Sequence, residues 1–174
     1  AALAKAAGTT ADRVAVHSLH QHDAPSSDYS VSKMLADFGL AERFSNNRHC
    51  RKVMANTAVA LAKAMGKLQP VTHLGLGRAK VEKFASNRRP LGPDGRGGNG
   101  RYSSCRDHKG RALPEGVIDP LVRLVSFWNG ERPVAVLSYY ATRPQSFYGR
   151  GGVNPDTLGI AGAACDKALP GTVH

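Results

Sequence analysis

Two histidines separated by one residue are the strongest chemical signal in this sequence. His20 and His22 directly follow the apolar-rich segment 13–19, which we predict to be a buried strand. Because alternate residues of an extended chain face the same way, the two imidazoles are expected to project together from the end of that strand. Two imidazoles on one side of a backbone can share a metal ion, and Asp23 is placed to orient one of them through its second nitrogen.

Composition indicates an ordinary globular protein. The 174 residues are enough for one domain with a core, and contents of 41% hydrophobic and 21% charged residues exclude wholesale disorder. The sequence has no run of 18 or more apolar residues, which argues against a transmembrane helix. Its three cysteines, Cys50, Cys105 and Cys165, form no C-x-x-C pair, so we expect free thiols and neither a disulfide framework nor a zinc knuckle.

The charge balance is strongly basic, with 24 Lys and Arg against 13 Asp and Glu. This excess invites a nucleic-acid interpretation, but the basic residues are dispersed and the aromatic residues are not interleaved with them as a stacking surface requires. The sequence also contains no helix-turn-helix, zinc-finger or RNP-like pattern. We therefore predict no specific nucleic-acid partner, and instead a solvated basic surface or peripheral contact with anionic membranes and lipids.

The elements that must position these residues alternate along the chain. After a helix end closed by Gly8, the patterns predict helices at about 31–40, 48–67 and 156–169. A second extended segment is predicted at 70–81, and a hairpin at 122–128 and 134–140, with Asn129-Gly130 favouring a tight turn. A long Gly/Pro/Arg-rich loop is predicted at about 87–116. These elements predict an α/β or α+β domain, with a layered mixed β-sheet and flanking helices.

Several motifs, taken in order, resemble the N-terminal catalytic domain of the neutral/alkaline, non-lysosomal ceramidase family, in its bacterial ceramidase-like branch. The matching segments, which run across nearly the whole chain, are 20–25 (HQHDAP), 85–90 (ASNRRP), 119–130 (DPLVRLVSFWNG), 139–146 (YYATRPQS) and 151–156 (GGVNPD). Each segment alone is weak, and their order and spacing carry the resemblance.

The resemblance implies a zinc-dependent amidohydrolase of sphingolipid metabolism that splits the N-acyl amide bond of a ceramide-type lipid. In such enzymes zinc polarises the amide carbonyl and lowers the pKa of its bound water. By position, the resemblance makes His20 a zinc ligand and His22 a neighbour of the metal that steadies the water or the tetrahedral intermediate. It makes Arg88 a donor to the substrate or the oxyanion. It also favours a secreted or periplasmic location.

One position departs from the family pattern. The family's second zinc histidine is replaced here by Arg143, and a guanidinium cannot ligate zinc. The remaining expected ligands, a Glu and a Tyr, belong to segments expected beyond His174. The resemblance therefore implies an incomplete portion of a larger catalytic domain, inactive as this fragment.

Two functions from different classes remain open at this point. One is the ceramidase-like zinc amidohydrolase. The other is a non-catalytic module on the same scaffold, in which Arg143 recruits an anionic small molecule such as a carboxylate or a lipid head group. Tyr148, with Tyr139 and Tyr140, is a candidate for lining an acyl or substrate channel, although strand aromatics are more often part of a core.

Overall fold

The chain forms two compact units. The computed structural model describes residues 1–98, 100–103, 105–149 and 151–174. Residues 99 and 104, in the predicted long loop, and residue 150, in the Gly-rich segment before Asp156, lie outside the described residues. The first unit comprises residues 1–69 and 149–155, and the second comprises residues 70–148 and 156–174.

The first unit is helical. Its elements are α1 (Ala2–Ala6), a 3₁₀ turn (Ala11–Arg13), α2 (Tyr29–Ala36) and α3 (Asn47–Met65). Gly8, with φ +64°, follows the end of α1 as predicted, because glycine adopts the left-handed conformation without steric cost. The longer helices begin at side-chain caps, since Asp28 accepts from the N–H of Val31 and Asn46 accepts from the N–H of His49. Helix α1 packs on α3.

The strand predicted at 13–19 is wrong. Apart from the end of the 3₁₀ turn, this segment is irregular, with Val16 62% exposed and Leu19 51% exposed. A strand needs a partner for its backbone N–H and C=O groups, and the described strands all belong to the second unit. The apolar pattern of segment 13–19 was therefore not enough to form a strand, because no neighbouring strand pairs with it among the described residues.

The second unit contains a three-stranded sheet. Its strands, in the order β1-β2-β3, are β1 (His73–Lys80), β2 (Leu121–Asn129) and β3 (Arg132–Tyr139). Both pairings are antiparallel, and an isolated parallel bridge joins Ala135 to Val173 after helix α5 (Asp156–Ala168). Helices together with an antiparallel sheet confirm the α+β alternative of the predicted fold class.

The predicted hairpin is confirmed, with its turn one residue later than the Asn129-Gly130 pair suggests. Asn129 pairs with Arg132, so Gly130 and Glu131 form the two-residue loop. Gly130 has φ +59° at the first loop position, as in a type II′ turn.

The register of the sheet brings three connections to one end. Lys80, the last residue of β1, pairs with Leu121, the first residue of β2, and Tyr139 at the end of β3 pairs with Arg123. The segments that leave β1, enter β2 and leave β3 therefore lie at the same end of the sheet.

The close approach of β1 to β2 depends on a glycine. A Cβ on Gly75 would lie 2.6 Å from Ser126 Oγ and 3.0 Å from Trp128 Nε1. Trp128 Nε1 donates a hydrogen bond to Ser126 Oγ at 2.8 Å, and Ser126 Oγ donates to the carbonyl of Gly75 at 3.2 Å. The absence of a side chain at Gly75 therefore leaves room on β1 for the side chains of Ser126 and Trp128 from β2.

The long loop is more ordered than predicted. It contains a short helix, α4 (His108–Ala112), capped by Asp107, and an isolated bridge between Leu91 and Gly97. Within the described residues, no helix is both long and apolar enough to cross a membrane.

Candidate functional site

A cavity of about 870 Å³ lies in the second unit, where the connections at the end of the sheet meet. Its walls come from segments 84–88, 101–103, 117–119 and 140–146. These are the chain leaving β1, part of the long loop, the approach to β2 and the chain leaving β3. The topology of the sheet therefore builds this cavity from parts that are distant in sequence.

Two arginines predicted as site residues line this cavity. Arg88 is partly buried, and its guanidinium carbon lies 5.3 Å from the centre of the Tyr102 ring, within the range of a cation–π contact. Arg143 is exposed and lies on the wall that follows β3. The structure thus places two arginines that are 55 positions apart in the sequence on the lining of one cavity.

The acidic residue among the described lining residues is already engaged. Asp119 Oδ2 accepts a hydrogen bond from Arg123 Nη1 at 2.7 Å, and its Oδ1 accepts from the N–H of Leu121 at 3.1 Å. The hydrogen bond from Arg123, together with that from Leu121, holds the pKa of Asp119 below its ordinary value. The described lining therefore carries three arginines and one carboxylate, and that carboxylate is paired with Arg123.

A third lining arginine, Arg101, has a structural role. Its Nη1 and Nη2 atoms donate to four backbone carbonyls at 2.7–3.2 Å, those of Asn87, Gly110, Leu113 and Pro114. The fork-shaped guanidinium can satisfy several acceptors at once, which a lysine cannot do with the same geometry. Arg101 thereby ties together segments of the long loop that support the cavity wall.

Part of the lining is apolar. Phe84, Val117 and Ile118 contribute carbon surface, and the Phe84 ring lies tilted against the Tyr140 ring with centroids 5.9 Å apart. A cavity with guanidinium groups and an apolar wall suits a ligand that has an anionic group and a hydrocarbon part.

A buried carboxylate fixes the segment that follows Arg143. Asp156 is 3% exposed and accepts from the N–H groups of Ser146, Phe147 and Thr157 at 2.7–3.1 Å. Burial raises the pKa of this carboxyl, but the hydrogen bonds from Phe147, Thr157 and Ser146 outweigh it and hold the pKa below its ordinary value. Asp156 begins α5, and it also anchors the segment at the end of the cavity wall.

The predicted histidine pair lies in the first unit. The His20 and His22 rings meet edge to face, with centroids 5.0 Å apart. The predicted reason for their proximity is wrong, because His20 has φ +63° and is not extended. A left-handed bend, rather than the alternation of a strand, brings the two imidazoles together. Such a conformation is uncommon for a residue with a side chain and stores local strain.

Asp23 holds a loop of the first unit. Its carboxylate accepts from the N–H of Gly149 at 2.9 and 3.0 Å and from Asn154 Nδ2 at 3.0 Å. Its carbonyl also accepts from the N–H of Asn154. The hydrogen bonds of Asp23 in the structure thus link segments 126 and 131 residues apart, whereas the sequence predicted that it orients a histidine.

The donor set of the described chain does not fit a catalytic zinc ion. Zinc sites of that kind use about three protein ligands. Across the part of the chain that the structure describes, no group of three His, Cys, Asp or Glu side chains is placed to hold a metal. His20 and His22 thus supply a pair of nitrogen donors without a third protein ligand among these residues.

Tyr148, predicted as a candidate for lining a substrate channel, is not among the described lining residues of the cavity. It is 40% exposed and follows the lining segment that ends at Ser146. Tyr140 and Tyr102 line the cavity instead. Tyr140 was among the strand tyrosines considered for a channel. Arg101 gave no signal in the sequence, since its role depends on four carbonyls that only the fold brings together.

Comparison with known proteins gives no assignment. The chain matches no family model, and no curated protein or solved structure matches it significantly. The ceramidase-like resemblance therefore stays a prediction made from the sequence motifs.

Proposed function

We propose that the second unit is a binding module for an oxyanion carried on an aliphatic chain. The observation that carries this proposal is that Arg88 and Arg143 line one cavity whose acidic residue, Asp119, is paired with Arg123. Guanidinium groups bind carboxylates and phosphates through charge-assisted hydrogen bonds.

The apolar lining supports the second half of this proposal. Phe84, Val117 and Ile118 offer carbon surface in the same cavity, and burying a hydrocarbon chain there adds about 0.8 kcal/mol for each methylene removed from water. The basic excess of the whole chain, 24 Lys and Arg against 13 Asp and Glu, favours the approach of anions.

Calorimetric titration of the chain with octanoate, octyl phosphate and octanamide tests this proposal. Octanamide has the same chain as octanoate and a similar shape but no charge. We expect octanoate and octyl phosphate to bind and octanamide to bind at least about tenfold more weakly, with anion affinity falling as salt is raised. A preference for one of the two anions identifies the head group, carboxylate or phosphate.

Two results contradict the proposal. One is that neither anion binds the folded chain. The other is that octanamide binds as well as octanoate, because the arginines would then contribute nothing. Acetate serves as a control for the apolar wall and is expected to bind more weakly than octanoate, since it lacks the hydrocarbon chain.

The ceramidase-like zinc amidohydrolase is the second candidate. The observation in its favour is the contact between the His20 and His22 rings. The chain as it stands is proposed to be inactive, because by the resemblance Arg143 takes the place of a zinc histidine and the described residues offer too few donors.

Zinc stoichiometry separates the two candidates. After dialysis against a mild chelator, elemental analysis is expected to find no zinc retained by the chain. About one zinc per chain would favour the hydrolase, since a catalytic site binds its metal through about three protein ligands. In that case an Arg143→His variant should be assayed for amide hydrolysis.

A further inference from the structure

Two residues that line the proposed binding cavity each carry a polar atom that is buried and has no hydrogen-bond partner among the described residues. They are the hydroxyl oxygen of Tyr140 and the Nε of Arg101. Buried polar groups in folded proteins are nearly always paired, so each unpaired one calls for a physical explanation. Both atoms belong to residues of the same cavity, which points to one shared cause.

The chemistry of the two atoms defines what is missing. The Nε of a guanidinium can only donate, and a phenol hydroxyl can donate as well as accept. An acceptor can therefore serve both atoms, and Arg88 and Arg143 line the same cavity. A group with several acceptor oxygens and a negative charge suits all four residues, whereas a hydrogen-bond donor cannot serve the three arginines.

We infer that the Tyr140 hydroxyl donates a hydrogen bond to the bound oxyanion and so helps to select it, an inference that rests on the proposed function. Tyr140 directly follows β3, and Arg143 lies three residues beyond it on the same wall. The hydroxyl is covered in the structure described here, where the Tyr140 ring lies against Phe84. Engagement therefore requires a side-chain rotation that exposes the hydroxyl to the ligand.

Tyr148 provides a matched control. It is exposed and is not among the described lining residues of the cavity. Loss of its hydroxyl is expected to leave anion binding nearly unchanged, because this residue does not line the cavity.

The test compares Tyr140→Phe with the control Tyr148→Phe by calorimetric titration with octanoate. Loss of a hydrogen bond to a charged group is expected to weaken octanoate binding to Tyr140→Phe by about tenfold or more. Octanamide affinity should change less, since its head group is uncharged. The unliganded Tyr140→Phe chain should be as stable to urea as the wild type, because the substitution removes only an unpaired hydroxyl. This second measurement separates a role in binding from a role in packing.

The outcomes distinguish this inference from the function on which it rests. If the wild-type chain binds neither octanoate nor octyl phosphate, both fail. If the wild-type chain binds octanoate and Tyr140→Phe binds it equally well, only the role of Tyr140 is overturned. Weaker binding accompanied by an equal loss of stability also overturns it, since the hydroxyl would then support the fold rather than the ligand.

Discussion

The histidine pair of the first unit differs from the cavity of the second unit that is lined by Arg88 and Arg143 (the arginine cavity) in how sequence separation relates to position in the fold. His20 and His22 are separated by one residue in the sequence, and a local bend is enough to bring their rings together. Arg88 and Arg143 are far apart in sequence, and only the register of the sheet places them around one cavity. The histidine pair is the clearer motif in the sequence. In the structure, however, more of the groups that a ligand site needs surround the two arginines.

The difference shows what a binding site needs beyond its principal residues. The arginine cavity has a paired acid, an apolar wall and a supporting arginine bonded to four carbonyls. The histidine pair lacks a third metal donor among the described residues. Surrounding groups that orient and complement the principal residues decide which constellation can bind a ligand.

The largest effect is expected from removing the support of the cavity. Arg101→Met keeps the aliphatic stem but leaves four backbone carbonyls without their donor, so we expect a loss of about 3 kcal/mol in the free energy of unfolding. Urea denaturation measures this loss. Arg89→Met, at an exposed position of the same long loop, is the control and should change the free energy of unfolding by less than about 0.5 kcal/mol. Equal stability of the two variants would show that the long loop does not depend on Arg101.

Replacing the two arginines and, separately, the two histidines with alanine tests which of the two pairs binds the anion. Arg88→Ala/Arg143→Ala should weaken octanoate binding by about thirtyfold, roughly 2 kcal/mol, because two charge-assisted contacts in an open cavity are lost. His20→Ala/His22→Ala should leave octanoate affinity unchanged. A larger loss in the histidine variant would reverse the assignment of the binding site.

The anchor of the cavity wall gives a pH-dependent prediction. Asp156→Asn should cost about 1.5 kcal/mol of stability at pH 7, since hydrogen bonds to a charged acceptor become bonds to a neutral one. Because the folded-state pKa of Asp156 is lowered, its stabilisation is present above the unfolded pKa of about 3.9 and is lost as the pH falls through the folded value.

The stability difference between Asp156→Asn and the wild type should therefore narrow below about pH 4. Urea denaturation at several pH values measures it. A difference that stays constant from pH 7 to pH 3 would mean that ionisation of Asp156 contributes nothing.

The smallest effect is expected at the histidine bend. His20→Gly should raise the free energy of unfolding by about 0.5–1 kcal/mol, because glycine adopts the observed φ of +63° without strain. His22→Gly is the matched control and should lower stability, since His22 has no positive φ to relieve. Thermal unfolding of both variants is the measurement, and a loss of stability in His20→Gly would show that contacts of this side chain outweigh the strain.

Local patterns predicted much of the fold. The hairpin and helices α2, α3 and α5 follow from turn chemistry, caps and apolar periodicity, and they lie within a few residues of the predicted bounds. The strand predicted at 13–19 was wrong because apolar patterning cannot reveal whether a pairing partner exists. The left-handed conformation of His20 was not predicted either, since histidine adopts positive φ more often than most residues but only in a minority of cases.

The candidate site was predicted only in part. Arg88 and Arg143 came from the family resemblance, but no sequence pattern predicts that they share a cavity, because this depends on the pairing of β1 and β3 with β2. The role of Arg101 and the bonds from Ser146 and Phe147 to Asp156 were missed for the same reason. Their partners are backbone groups from other segments, and those groups carry no sequence signature.

The most direct test of the central claim is an NMR titration of the chain with octanoate that follows arginine Nε–H and histidine ring signals together. We predict that the signals of Arg88 and Arg143 shift with a common midpoint while those of His20 and His22 stay in place. Shifts of the histidine signals without any change at the two arginines would contradict the account and move the binding site to the first unit.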